Sequence, residues 1–217
     1  MNKKNIIYII LGGISLVLAV FFICYFSIPR IDYNYDKTNN CYYVNHAFGN
    51  SKTYEILDEV KGKKVAYIDE KAFMDNTKLE SIHLGKNITK IERLAFSNCK
   101  NLIDINLENI LIVERSAFMG CSSLVNVDLS SCVDLLGGAF YDCHMLLNVN
   151  IPKVTSIGSY CFANTIIKEI VLPQSLSLIG VEAFYNCNNL VKIKCYSNVL
   201  TSDEYLLSLG QLVEFLS

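Results

Sequence analysis

Tryptophan is absent from the 217 residues of this chain, proline and histidine occur three times each, and only 18% of the side chains are charged. Three prolines exclude a proline-rich arm or semi-rigid linker. His46, His83 and His144 stand far apart, and none has a serine or cysteine at a spacing that suggests a nucleophile pair. There is no glycine-rich phosphate loop, no Cys-x-x-Cys knuckle and no His-Glu-x-x-His run. These absences argue against an enzyme and against a bound cofactor or metal. Strong positive charge is also missing. The formal net charge is −2, and residues 1–30 hold Lys3, Lys4 and Arg30 without an acid, which leaves 16 basic against 21 acidic side chains in the rest. A mildly acidic body is a poor partner for nucleic acid.

What the chain has instead is apolar content, 52% of its residues. From Ile6 to Ile28 it runs without a charge, preceded by Lys3 and Lys4 and closed by Pro29-Arg30. As a helix this run would be about 34 Å long, enough to cross a hydrocarbon layer of about 30 Å. Residues 1–30 are therefore expected to form a transmembrane signal anchor. A cleaved secretory signal is the alternative, but Tyr25-Phe26-Ser27 puts a bulky residue where cleavage needs a small one. Phe21-Phe22-Ile23 before Cys24 likewise does not suit lipid attachment. The leading basic pair favours a cytoplasmic N-terminus and a C-terminal body outside the cytoplasm. Residues 31–40, polar and turn-prone, read as a short linker.

The body repeats. Ala72-Phe73, Ala95-Phe96, Ala117-Phe118, Ala139-Phe140 and Ala183-Phe184 recur with Cys161-Phe162 in the one gap, and the phenylalanines are 22 or 23 residues apart. Eight residues before each phenylalanine stand Val65, Ile88, Ile110, Cys132, Val154 and Leu176; five before stand Ile68, Ile91, Val113, Leu135, Ile157 and Ile179. Three after come Cys99, Cys121, Cys143 and Cys187, with Asn76 and Thr165 in the other copies. Leucine at plus six, isoleucine or valine at plus nine and leucine or isoleucine at plus eleven complete the unit; the copy after Phe162 is one residue short. The Leu-x-x-Ile-x-Leu run alternates like a strand with one buried face. The Ala-Phe-x-x-Cys run, spaced by three, predicts a single helical turn. Such a unit cannot bury its apolar side alone, so units must stack, with equivalent strands about 4.8 Å apart in a parallel sheet. The expected fold class is α/β: a solenoid of six 22–23-residue repeats over residues 41–196, preceded by the transmembrane helix and closed by a helical cap over residues 197–217. Phe73, Phe96, Phe118, Phe140, Phe162 and Phe184 become a buried column.

At Ile91, Ala95-Phe96, Cys99, Leu102, Ile105 and Leu107, and again from Ile179 through Ala183-Phe184 and Cys187 to Ile193, the chain resembles the BspA-type leucine-rich repeats. Pro152 and Pro173 follow strands as that pattern requires, and Tyr42-Tyr43-Val44 to Val65 is similar to its opening half-unit. The position three residues past the strand departs from leucine-rich repeats in general, because it holds asparagine only at Asn87 and Asn198 and otherwise Ile110, Cys132, Val154 or Ser175, so apolar packing is expected in place of an asparagine ladder. The resemblance implies a cell-surface or secreted interaction protein, a class and not a ligand.

Flanking the central strand residue, the outward side chains are Ser81 and His83, Asp104 and Asn106, Asn126 and Asp128, Asn148 and Asn150, Glu169 and Val171, Lys192 and Lys194. They are the candidate face for a protein or glycan partner, or merely a solvated sheet surface. Asp104 and Asp128 would lie on a diagonal of about 7 Å with no third carboxylate in reach, too little for a cation. Cys99, Cys121 and Cys143 stack closely enough for disulfides on distance alone, yet they fill slots suited to small hydrophobes and read as buried thiols. Cys41, off the lattice, is the candidate for an intermolecular bond.

Overall fold

The computed structural model describes residues 29–196 and 213–216. The expected transmembrane segment, residues 6–28, and residues 197–212 of the expected cap lie outside the described residues. Among the described residues no helix is long and apolar enough to cross a membrane.

The described residues form a β-solenoid in which each coil carries two short strands. An antiparallel hairpin, β1 (Arg30–Asp36) and β2 (Cys41–Phe48), opens it. Then come β3 (Thr53–Glu55), β4 (Glu59–Val60) and β5 (Lys63–Ile68). On one side of the coils follow β7 (Lys90–Ile91), β9 (Ile112–Val113), β11 (Asp134–Leu135), β13 (Ser156–Ile157) and β15 (Leu178–Ile179). On the other follow β6 (Ser81–His83), β8 (Asp104–Ile105), β10 (Asn126–Asp128), β12 (Asn148–Asn150), β14 (Glu169–Val171), β16 (Lys192–Tyr196) and β17 (Val213–Leu216).

The continuous sheet runs β1-β2-β5-β7-β9-β11-β13-β15, parallel from β2 onward, and is built on the column five residues before phenylalanine. That column carries Ile91, Val113, Leu135, Ile157 and Ile179, all buried, and its aliphatic character is what a strand facing the core demands. The strands expected from the Leu-x-x-Ile-x-Leu run also form, but in three separate groups: β3-β6-β8, β10-β12 and β14-β16-β17.

The expected helical turn does not form, and among the described residues the fold is β with turns rather than α/β. The residues two before and two after phenylalanine are the cause. Lys71, Leu94, Ser116, Gly138, Tyr160 and Glu182 on one side, and Asp75, Asn98, Gly120, Asp142, Asn164 and Asn186 on the other, all have φ between 55° and 74°. A left-handed residue turns its N–H away from the direction a helix needs. Amides therefore alternate. Met119 donates within its turn to Ser116 O at 3.1 Å, whereas Ser116, Phe118 and Gly120 donate to Gly137, Ala139 and Tyr141 of the next coil at 3.1, 2.8 and 2.8 Å. Phe73, Phe96, Phe140 and Phe162 repeat the bond to the following coil, each at 2.8 Å. The small residue before each phenylalanine is fully buried against that junction.

Inside, the six phenylalanine rings stack with centroids 4.9, 5.1, 5.2, 5.7 and 5.6 Å apart and planes within 13° of parallel. Tyr54 closes the N-terminal end edge-on to Phe73 at 5.6 Å, its hydroxyl donating to Phe48 O at 2.9 Å. Ile110, Cys132 and Val154 are buried where an asparagine ladder would stand, as the apolar column implied.

Two further expectations need correcting. Residues 31–36, read as linker, pair with β2 over its full length, because Ile31 and Tyr33 are partly buried against the core and Asp36 caps the turn by accepting from Thr38 N and Asn39 N. Val213–Leu216, read as part of a helical cap, is a strand parallel to β16, in register from Ile193↔Val213 to Tyr196↔Leu216. Its alternating Val-Glu-Phe-Leu run continues the repeat's strand signal.

Phe118→Ala removes a ring from the middle of the column and is expected to cost about 3–5 kcal/mol in urea unfolding; a loss below about 1 kcal/mol contradicts the packing described. Gly120→Asn is expected to cost less than about 1 kcal/mol, because asparagine already serves this left-handed position at Asn98, Asn164 and Asn186 and the added Cβ meets only the end of the Asn98 side chain, whereas Gly120→Val costs about 1–2 kcal/mol more. Equal effects of the two substitutions contradict the conformational requirement.

Candidate binding face

The groups of strands β3-β6-β8, β10-β12 and β14-β16-β17 present the residues singled out from sequence. Their central residues, Ile82, Ile105, Val127, Ile170 and Ile193, point into the core and are buried. The flanking residues point outward and are knitted together between coils. Ser81 Oγ donates to Asp104 Oδ2 at 3.2 Å. Asn148 Nδ2 donates to Asn126 Oδ1 at 2.7 Å, and Asn150 Nδ2 to Asp128 Oδ1 at 2.9 Å. Lys194 pairs with Glu169 at 3.3 Å and Lys192 with Glu214 at 2.6 Å.

Asn106 differs from the others. Its Oδ1 accepts from Leu84 N at 2.6 Å and its Nδ2 donates to Leu84 O at 3.0 Å, so the side chain stands in for a strand partner where β8 has ended. It holds the β6-β8 ladder together and has little left for a ligand. His83, Asn126, Asp128, Asn148, Asn150, Glu169 and Val171 are exposed. Ser81, Asn106, Lys192 and Lys194 are half-buried.

Two seams divide the face, one between β8 and β10 and one between β12 and β14. The second coincides with the short coil. There Thr165 replaces the cysteine, and its hydroxyl donates to Phe162 O of its own turn at 2.8 Å instead of reaching back to the previous coil. Val149, the central residue of β12, is only partly buried, unlike its counterparts. A depression opens beside it, bounded by Asn148, Asn150, Glu169 and Val171. No group of histidine, cysteine, aspartate or glutamate among the described residues could hold a metal ion.

The eight described cysteines are free thiols, and all of them are buried. Cys99, Cys121, Cys143 and Cys187 each donate their S–H to a phenylalanine carbonyl of the preceding coil, Phe73, Phe96, Phe118 and Phe162, at 3.1 Å. Each of these carbonyls also accepts the N–H three residues on or the equivalent hydroxyl, so a short buried donor is what the slot requires. The sulfurs aim at oxygen and not at one another. Cys41, expected to be available for an intermolecular bond, is 1% exposed inside the hairpin, which removes that role. Sequence reasoning identified the cysteine column but not its hydrogen bond; the signal was its strict distance from phenylalanine.

Burial pushes the thiols of Cys99 and Cys132 up to about 12 and those of Cys121, Cys143 and Cys161 well above the ordinary range. Burial does the same, less strongly, to Cys187.

The chain matches the family described as BspA type leucine rich repeat region, in six copies, over residues 43–155 and 112–215. It belongs to that family. Among solved structures, this BspA-type chain is similar to a leucine rich cell surface protein from Faecalibacterium prausnitzii A2-165, with 20% identity and a TM-score of 0.60, over 82% of this chain and 57% of that one. It is similar to the leucine rich repeat protein TpLRR of T. pallidum, with 21% identity and a TM-score of 0.56, over 77% and 71% of the two chains. The pneumococcal vaccine antigen PcpA gives 19% identity and a TM-score of 0.61, over 79% of this chain and 49% of that one. At these identities the likeness is one of fold, and the chain spans about half the length of the Faecalibacterium and pneumococcal proteins. No curated protein matches. Leucine-rich repeats of this kind are in general binding modules rather than catalysts.

A thiol whose folded pKa is raised stabilises the fold below its unfolded value near 9, and the contribution is lost as pH rises. As pH rises from 9 toward 12, unfolding stability is expected to fall by about 1.4 kcal/mol per pH unit for each of Cys99, Cys121, Cys132, Cys143 and Cys161 until the fold is lost, measured by denaturant titration, with a shallower fall in Cys121→Ala. A pH-independent stability over that range contradicts buried neutral thiols.

Proposed function

We propose that the chain is a surface-displayed binding module, anchored in a membrane by residues 6–28 with its repeats outside the cytoplasm, and that it engages a protein or glycan partner through the outward strand face. The observation that carries this reading is the rigid array formed by Asn126, Asp128, Asn148 and Asn150, exposed on adjacent strands and locked in register by bonds between their own side chains. Groups already fixed in place lose little side-chain entropy when they meet a partner. Amides that have donated one N–H keep another N–H and a carbonyl lone pair for a ligand.

Family membership supports a binding role, and the Faecalibacterium relative's description as a cell surface protein supports display outside the cell. The uncharged run of residues 6–28 behind Lys3 and Lys4 supports anchoring. The side chains of the face do not assemble a nucleophile, a general base and an oxyanion site, so no reaction is proposed.

Protease treatment of intact cells carrying a C-terminal epitope, with membrane and medium probed separately, tests display. Loss of the epitope from a membrane-bound species is the expected outcome. Protection in intact cells contradicts display, and recovery of all protein from the medium replaces the anchor with a cleaved signal. Asp104→Lys combined with Asp128→Lys is expected to leave folding intact and to weaken capture of a cell-surface partner at least tenfold. Unchanged capture moves recognition off the strand face.

A further inference from the structure

The short coil makes the second seam unlike any other part of the face. Between β12 and β14 the backbone ladder is interrupted, and two depressions meet there, sharing Val149, Asn150 and Val171. One continues toward Asn126 and Asp128, the other toward Pro152, Pro173 and Tyr196. Together they make one groove of mixed character. Its floor and far bank are apolar: Val149 is uncovered where its counterparts are not, Val171 is 50% exposed, and the half-buried Tyr196 ring stands at the end. Its near bank is amide, Asn148 and Asn150, each with one N–H committed to the preceding coil and one N–H and a carbonyl left over.

Charge narrows what can bind. Lys194 is paired with Glu169, and Lys192 with Glu214, which leaves Asp128 and Lys153 at opposite ends of the groove as one charge of each sign. A phosphorylated, sulfated or strongly charged ligand finds no net opposing charge. A sugar ring fits better. Its hydroxyls are at once donors and acceptors, as free amides require, and its C–H face packs on valine and an aromatic ring.

Resting on the reading of the strand face as the binding surface, we infer that the groove between β12 and β14 is a subsite for a neutral oligosaccharide, with Asn148 and Asn150 bonding its hydroxyls and Val149, Val171 and Tyr196 supporting its apolar face. The one-residue deletion after Phe162 falls at this seam, between β12 and β14.

The test is titration of the full-length chain with maltotetraose, chitotetraose and mannotetraose, followed by saturation-transfer NMR and calorimetry, with the uncharged peptide Gly-Ser-Gly-Ser as comparison. Saturable binding of at least one oligosaccharide is expected, weakened at least tenfold by Asn150→Ala and by Val171→Lys and unchanged by Arg115→Ala, an exposed position just past β9 on the other side of the coils. Val171 is exposed, so its substitution reads the groove without disturbing the core. The absence of saturable binding by all three sugars overturns the inference. Sugar binding lost in Asp104→Lys but retained in Val171→Lys overturns the groove while leaving the strand-face reading in place. Binding of the peptide alone overturns the ligand class.

Discussion

Everything in this molecule depends on keeping six phenylalanine rings in one parallel column. The rings can stack only if every coil advances by the same amount on that side, and this fixes the 22–23-residue period more strictly than the strands do. The backbone enforces the same constraint. Each phenylalanine N–H between Phe73 and Phe162 is bonded to the residue before the next phenylalanine, so ring and main chain of successive coils are aligned together. The small residue before the ring is fully buried because that junction leaves no room for a larger one. Left-handed residues on both sides are the conformational cost of this arrangement, and aspartate, asparagine and glycine dominate the later position because they bear that cost best.

The column is not uniform, and its irregularity reaches the surface. The ring spacing is 4.9–5.2 Å over the first four phenylalanines and 5.7 and 5.6 Å over the last two steps. The wider steps bracket the short coil, where Thr165 bonds to its own turn and the strand ladder on the opposite side is interrupted. The short coil thus brings together wider ring spacing, a threonine in the thiol slot and an interrupted ladder, as expected of a stack in which each coil contacts only its neighbours. The cysteines tie these layers together, since a thiol is small enough for the core and donates to the second lone pair of a carbonyl in the preceding coil.

Much of this was legible in the sequence because repetition averages out local ambiguity. The period, the phenylalanine column, the buried thiols and the polarity of Asn126, Asp128, Asn148 and Asn150 follow from residue columns alone. The second strand of each coil was not, because two-residue strands such as Ile112–Val113 leave no alternation to detect. The Ala-Phe-x-x-Cys turn imitates a helical spacing of three, and only the Asp, Asn and Gly column two residues after phenylalanine pointed to left-handed backbone. Charged or bulky Lys71, Leu94 and Glu182 concealed the matching column before it. Asn106 was grouped with the recognition residues because nothing local distinguishes a side chain that bonds across a strand ladder from one that faces solvent.

The central claim is that the Ala-Phe turns bond forward to the next coil and are not helical. It is tested most directly by scalar coupling across hydrogen bonds in isotopically labelled protein. Coupling from Phe96 N to the Ala117 carbonyl and from Phe118 N to the Ala139 carbonyl is the result this account predicts. Coupling from Phe118 N to the carbonyl of Glu114, four residues earlier in the same coil, would mark a helical turn and contradict it.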